Sequence, residues 1–487
     1  MNPIFILILG VGVFLRSFKP LQLFMYSHDQ DLAGWIIKDV LINHHIRLIG
    51  QETSSHGVFI GPLYYYLQIP FYLLSRMDPK GALLLSILLG AAGIFSFYYV
   101  FKKVFDEKTG LLACLIYSVS TVLVFTDREV VPTMPVALWS VWFFYGVNQI
   151  LKGNQKAYIL LGILLGLVWH INLALGVLFP LIFLAQVFSK TKIDFKKILT
   201  GSIFCLLLIS PFIVFELRHN YQQVKAIVTS VTTDNNYIEG TKKGLGKLDR
   251  VIQLVQRNTN NIYWGVNNNI PVRLTLYGLI FGFVVLSLKR KIDWRLSLVA
   301  MLWQGLFILF FTLNSINVSE YYLNGMNVIW IMILALSIRH LINNKNLAFL
   351  GNFLIIVFLL ANIKDFFTRE VNRSGYLERK GIVKFINNDA KNHNYPCVSV
   401  SYITSPGNDL GYRYLFWLEK MRVEQPKSGA PVYTIVYPLS KVSRVDQKFG
   451  VIGLILPDYE RYNRKGIVYS CSGGNSNLTD PMFGYTE

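Results

Sequence analysis

Long apolar runs separated by short polar strings dominate the chain. Runs able to cross about 30 Å of hydrocarbon at about 1.5 Å per residue lie at 81–101, 111–126, 133–151, 198–216, 272–288, 296–313, 323–341 and 347–362. The stretch 157–188 is too long for one span and carries Trp169, His170, Ile171 and Asn172 at its middle, so it reads as two helices joined by a tight turn. The run from Pro3 to Leu15 has the length of a signal-peptide core. No positive segment precedes it and no small-residue cleavage site follows, so it reads as an uncleaved first span. The pattern therefore predicts an all-α polytopic bundle of about eleven spans.

Two segments interrupt that pattern. Val58 to Ser75 holds Pro62, Pro70 and the triplet Tyr64, Tyr65 and Tyr66. Proline breaks helical hydrogen bonding and tyrosine favours the headgroup level, so the segment reads as an interfacial or re-entrant helix with the tyrosines as belt residues. Residues 16–80 then form one external loop with in-plane amphipathic helices, the first at Gly34 to Asn43. A second, polar loop runs over 217–271 and contains Lys242, Lys243 and Lys247. Beyond Asn362 the composition turns soluble. A helical pattern at Gly375 to Lys391 and a helix at Asp409 to Lys420 accompany strand-like runs at Cys397 to Ile403, Val432 to Tyr437, Val451 to Leu456 and Gly466 to Ser470. The expected organisation is a membrane domain over 1–362 and a small α/β domain over 363–487.

Charge orients this arrangement. Of 487 residues only 15% are charged, well under the usual quarter, and the formal net charge is +19. Nucleic-acid binding would gather that surplus on a soluble domain. Instead Lys102, Lys103 and Lys108, then Lys152 and Lys156, then Lys190, Lys192, Lys196 and Lys197, then Lys289, Arg290, Lys291 and Arg295, then Arg339 and Lys345 fall in alternate short connections. The positive-inside rule makes these cytoplasmic, with the N-terminus inside and the C-terminal domain outside. The absence of a retention tail points to a bacterial or archaeal plasma membrane, with the chemistry on the extracytoplasmic face.

The predicted span interiors hold essentially no Asp, Glu, Lys or Arg, which argues against an ion-coupled transporter. Asp29, Asp31, Glu52, His56, Asp127, Arg128, Glu129, His170, Arg218, His219, Arg273 and Glu320 instead fall near external span ends. Such a ring suits an enzyme acting on a lipid-borne substrate with its polar head at that level.

The stretch Tyr26-Ser27-His28-Asp29-Gln30-Asp31, with Leu15-Arg16 before it and Gly61-Pro62-Leu63-Tyr64-Tyr65-Tyr66 closing the loop, resembles the first external loop of the GT-C glycosyltransferases. More narrowly, it is similar to the dolichyl-phosphate-mannose protein mannosyltransferases and the bacterial transferases that move a sugar from a polyprenyl phosphate onto lipid A or glycans. Asp127-Arg128-Glu129, followed by Pro132 and Pro135, is similar to the second external loop of that group. The resemblance covers about the first 200 residues at motif level. It implies a polyprenyl phosphate sugar donor and a catalytic carboxylate at Asp29, and leaves the acceptor open among a lipid, a glycan and a protein. The wider superfamily includes metal-dependent and metal-independent members, which leaves a divalent cation open. The loop over 217–271 is too short for the β-trefoil domain of the eukaryotic protein mannosyltransferases, so a protein acceptor is not implied.

The chemistry asks for few groups. An attacking hydroxyl must lose its proton to a base, whereas a phosphate monoester leaves as a stable anion without an acid. Asp29 is the expected base, and Asp31 is a supporting base, a metal ligand or a surface charge. Arg128 and Arg218 are candidate phosphate ligands, since guanidinium offers a fork to oxyanions; Arg128 can equally position Asp29 or snorkel, as Arg16 and Arg273 are expected to do. His56, His170 and Glu320 are further substrate-contact candidates, with Glu52 weaker. No CxxC spacing exists, and Cys397 and Cys471 form either a disulfide of the external domain or two buried thiols. The rival readings are a flippase or transporter for a lipid-linked glycan, and a membrane anchor with a partner-binding external domain.

Overall fold

The computed structural model describes residues 2–232, 244–405, 407–472 and 478–479; Lys242 and Lys243 lie outside them. The apolar runs form helices α1 (Pro3–Ser17), α4 (Ala82–Val104), α5 (Glu107–Val119), α6 (Thr121–Thr126), α7 (Val136–Leu151), α8 (Ala157–Ile171), α9 (Pro180–Ser189), α10 (Phe195–Arg218), α13 (Val272–Leu288), α14 (Trp294–Leu313), α15 (Asn327–Asn343) and α16 (Ala348–Thr368). Between them lie α2 (His28–Ile42), α3 (Leu63–Leu74), α11 (Gln222–Thr232) and α12 (Leu245–Trp264). Among the described residues, five helical segments are long and apolar enough to cross a membrane alone, and five more are apolar but shorter. The run 111–126 breaks at Ser120, whose hydroxyl donates to Ile262 O at 2.8 Å.

A buried ion pair closes the end of the bundle where α1 gives way to the first loop. Arg16 and Asp127 have almost no exposed side-chain surface, and Arg16 Nη2 lies 2.6 Å from Asp127 Oδ2. Arg16 also donates to the carbonyls of Gly12, Ser118 and Tyr117 at 3.1 Å each, and the Tyr117 hydroxyl donates to Asp127 Oδ1 at 2.8 Å. Gly90 makes room for this group: a Cβ there would come within 2.7 Å of Arg16 Cδ. The snorkelling reading of Arg16 is therefore corrected. Its guanidinium is satisfied internally, so it has no reason to reach for headgroups.

The stretch 217–271 is not merely a polar loop. The spacing of Val251, Leu254, Val255 and Ile262 makes α12 amphipathic, and its apolar face joins the bundle core. Asn362 ties it down by donating to Tyr263 O at 2.7 Å while its own Oδ1 accepts from Thr121 N at 2.9 Å. Nor are the three tyrosines belt residues throughout. Tyr64 and Tyr65 are buried, and Tyr66 donates to Arg47 O at 2.9 Å.

The C-terminal domain is a five-stranded sheet in the order β2-β1-β3-β5-β4. Its strands are β1 (Val398–Thr404), β2 (Val423–Glu424), β3 (Val432–Tyr437), β4 (Gln447–Phe449) and β5 (Ile452–Ile455), with helices α17 (Tyr376–Asn392), α18 (Arg413–Leu418) and α19 (Arg464–Ser470). β1 pairs in parallel with β2 and β3, and β5 runs antiparallel to β3 and β4. The expected strand at Gly466 to Ser470 is the helix α19, started by the Asn463 side chain, which accepts from Gly466 N. Cys397 and Cys471 form a disulfide that ties the start of β1 to the end of α19. This domain shares one core with the first loop. Phe24, Tyr26, Trp35 and Tyr72 pack among Tyr376, Ile382, Tyr414 and Leu454.

Removing one partner of a buried ion pair leaves an uncompensated charge that costs about 3–5 kcal/mol, whereas apolar replacement of both is often neutral. Asp127→Asn is therefore expected to lower the thermal unfolding temperature in detergent strongly, and Arg16→Met combined with Asp127→Leu to recover most of the loss. An Asp127→Asn variant that unfolds with the native protein would show that the pair does not hold the fold.

Candidate active site

Asp29 lies in the first turn of α2. Ser27-His28-Asp29-Gln30 is a capping box, and Ser27 N–H donates to Gln30 Oε1 at 2.8 Å. Gln30 Nε2 then donates to Val130 O at 3.2 Å, joining this turn to the connection between α6 and α7. That connection carries Asp127, Arg128 and Glu129, each with a different task. Asp127 completes the buried ion pair. Arg128 donates through Nη1 to Leu15 O at 2.8 Å and through Nη2 to Phe18 O at 2.7 Å, so it closes the carbonyl end of α1. Glu129 faces a cavity.

The cavity, of about 550 Å³, lies where helix ends meet. Asp29, Glu129 and Glu52 line it together with Asn172, Tyr321 and Tyr322, and Phe310, Phe311 and Ile316 supply its apolar floor. Its size suits a sugar-sized ligand with a few convergent polar groups. Burial raises the Asp29 carboxyl above its ordinary value, opposed by the charge of His28. Burial pushes Glu129 up to about 7; Arg369 pulls against it, while Asp127 and Asp29 push the same way. The two carboxyl groups thus stand in unequal surroundings, and Glu129 is the one pushed toward neutrality.

Of the expected site residues, Asp29 and the weaker candidate Glu52 line this cavity, and Asp31, Arg128, Arg218, His56, His170 and Glu320 do not. Asp31, two residues further on, is about 200° around the helix and points the other way. It is fully buried, and its Oδ1 accepts from Tyr26 Oη at 3.2 Å and Tyr414 N at 3.0 Å. Burial lifts it to about 6 against those donors and the charges of Arg413 and Arg379. It is an internal tie between α2 and α18, not a surface charge.

His170 is buried below the cavity wall. Its Nδ1 accepts from Leu63 N at 3.3 Å and its Nε2 faces Leu208 O at 2.8 Å, while its neighbours Ile171 and Asn172 line the space. His56 is exposed and sits 2.9 Å from Glu52 Oε1. Arg218 ends α10 exposed and away from the lining. Glu320 pairs with Arg257 at 3.3 Å on the surface, whereas the two tyrosines that follow it form the wall.

No Lys or Arg appears in the lining among the described residues. Arg369, just past the end of α16, is close enough to Glu129 for its charge to lower that carboxyl. It stacks 3.9 Å above the Phe125 ring, and its Nη1 is buried without a hydrogen-bond partner. Sequence reading did not single it out, since one Arg at a helix end usually snorkels. Among the described residues, no group of three or more His, Cys, Asp or Glu side chains comes together to hold a metal ion.

The fold is that of the GT-C membrane glycosyltransferases. Residues 59–215 match the family model described as dolichyl-phosphate-mannose-protein mannosyltransferase. Among solved structures, the chain is similar to ArnT from Cupriavidus metallidurans bound to undecaprenyl phosphate, with a TM-score of 0.61 and 10% identity over 92% of this chain and 97% of that one. The apo state of the same ArnT gives a TM-score of 0.61 and 10% identity over 94% and 98%. The Archaeoglobus fulgidus oligosaccharyltransferase in complex with Zn and sulfate gives 0.50 and 13% identity over 89% and 67%. No curated protein sequence matches the chain. At these identities the likeness to the solved structures is one of fold.

The raised pKa of Glu129 has a measurable consequence. The folded chain keeps a proton there that the unfolded chain loses above about 4.5, so this group makes stability fall as pH rises from about 4.5 to about 7. Glu129→Gln is expected to flatten that part of the profile of thermal unfolding against pH. An unchanged slope would show that Glu129 does not titrate in this window.

Proposed function

We propose that the protein is an inverting glycosyltransferase that moves a sugar from a polyprenyl phosphate to an acceptor hydroxyl, with Asp29 as general base. The observation that carries this reading is the pairing of Asp29 and Glu129 in one cavity at the helix ends of a GT-C fold. The acceptor oxygen attacks the anomeric carbon as the bond to the phosphate oxygen breaks. Asp29 takes the hydroxyl proton, and the phosphate monoester departs as an anion without needing an acid. Attack opposite the leaving phosphate inverts the anomeric centre.

Glu129, protonated over part of the neutral range, donates a hydrogen bond to the bound substrates. Arg369, whose charge acts on Glu129 and whose Nη1 is buried and unpartnered, is the cation assigned to the donor phosphate. It takes the place first given to Arg128, whose guanidinium is spent on the end of α1. The cavity opens on the extracytoplasmic side in this reading. The alternation of basic connections supports that placement, and so does a disulfide in the domain beside the cavity.

General-base loss typically costs 10²–10⁴-fold. Asp29→Asn is accordingly expected to reduce transfer from polyprenyl phosphate sugars at least about 100-fold in proteoliposomes, with mass spectrometry identifying the lipid donor that co-purifies. Arg369→Gln should raise the donor KM more than it lowers kcat. Transfer by Asp29→Asn at the native rate would overturn the assignment.

A further inference from the structure

Helices α14 and α15 connect the Asp29 cavity to a second one. Phe310 and Phe311 of α14, and Tyr321 and Tyr322 before α15, belong to the first cavity. Leu296 of α14 with Leu336, Arg339 and His340 of α15 belong to another, of about 690 Å³, at the opposite ends of these helices. Its wall carries Lys152, Lys291, Arg295 and Arg339 against Asp106 and Asp293. The two acids are already engaged as helix caps: Asp106 Oδ1 accepts from Thr109 N at 2.7 Å and Asp293 Oδ1 from Arg295 N at 2.8 Å. Asp106 also pairs with Arg339 at 3.5 Å. Among the described residues no carboxylate lies within ion-pair distance of Lys152 or Lys291. The cavity therefore has an unbalanced positive lining.

A third cavity, of about 600 Å³, continues from it. Leu286 and His340 belong to both walls. This space is a groove between α13, α15, α12 and α16, lined by apolar side chains such as Leu274, Leu279, Val285, Trp330, Leu334 and Leu354. At the junction His340 Nε2 and Ser337 Oγ are buried without hydrogen-bond partners. From Leu274 to Leu286 the groove follows twelve residue steps of α13, about 18 Å at about 1.5 Å per residue. The groove therefore follows most of the length of α13 (Val272–Leu288).

A basic cavity opening into an apolar groove about 18 Å long has a simple chemical complement. We propose that this end of the bundle binds an anionic glycerophospholipid, with its phosphate among Lys152, Lys291, Arg295 and Arg339 and one acyl chain between α13 and α15. Basic pockets between helices on the cytoplasmic side are suited to such headgroups. The depth fits an acyl chain and is short for a polyprenyl chain. The proposal depends on the helices lying in a membrane, not on the transfer chemistry at the other end.

Native mass spectrometry of the full chain, released from micelles carrying equal phosphatidylglycerol and phosphatidylcholine, tests both halves of the site. The native protein is expected to retain phosphatidylglycerol at least tenfold over phosphatidylcholine. Lys291→Glu with Arg295→Glu should remove that preference. Gly278→Leu should reduce retention of both lipids by narrowing the groove; a Cβ at Gly278 meets nothing within 4 Å, so this variant keeps the fold. Equal retention of the two lipids by the native protein would overturn the proposal. So would native retention by both variants, displacement of phosphatidylglycerol by an equal amount of polyprenyl phosphate, or displacement by millimolar inorganic phosphate.

Discussion

The Arg16–Asp127 ion pair fixes where everything at the Asp29 end of the bundle stands. A guanidinium out of water must fill its donor positions internally. Arg16 does so with the Asp127 carboxylate and three carbonyls from two helices. The pair locks α1 against α5 and pins the first residue of the 127–135 connection. Arg128 then holds the end of α1 from outside. With its first two residues engaged, the connection has one direction left in which to send Glu129, and Gln30 brings the first turn of α2 to meet it.

This explains how a superficially charged motif, Asp127-Arg128-Glu129, divides its labour. Two of its three charges are spent on structure and the third lines the cavity. Sequence alone presents all three as equal, because side-chain direction is not set by residue type. In the connection after α6, where no regular period applies, it is set by what the neighbouring helix ends leave unsatisfied. The same logic separates Glu320 from Tyr321 and Tyr322. The acid finds Arg257 at the surface while the rings turn inward.

Much of the bundle was legible because hydrocarbon permits only helices and demands apolar length. The double helix in 157–188, for instance, follows from length alone. The capping box at Ser27 and Gln30 was equally legible in principle. Reading it would have started α2 at His28 rather than Gly34 and put Asp31 on the far side from Asp29. The register of α12 was visible too, in an apolar stripe hidden among Asn, Lys and Arg. Arg369 was not legible, since its importance lies in the absence of a partner, and only packing reveals an absence.

The C-terminal domain completes the site by acting on α2 from the face opposite the cavity. Asp31 accepts from the Tyr414 backbone, and a Cβ at Gly34 would meet the Tyr414 ring at 2.7 Å. Trp35 packs edge-on against the same ring. One helical turn is thereby held on both sides, by Gln30 to the 127–135 connection and by Asp31 and Gly34 to α18. Asp29 lies between these anchors with no hydrogen bond of its own to a structural partner among the described residues. For the proposed general base, a carboxylate on a rigid turn and free of internal obligations is preorganised, and preorganisation of this kind lowers a barrier without movement at the moment of reaction. In this arrangement the C-terminal domain fixes the frame in which Asp29 stands, and none of its described residues lines the cavity.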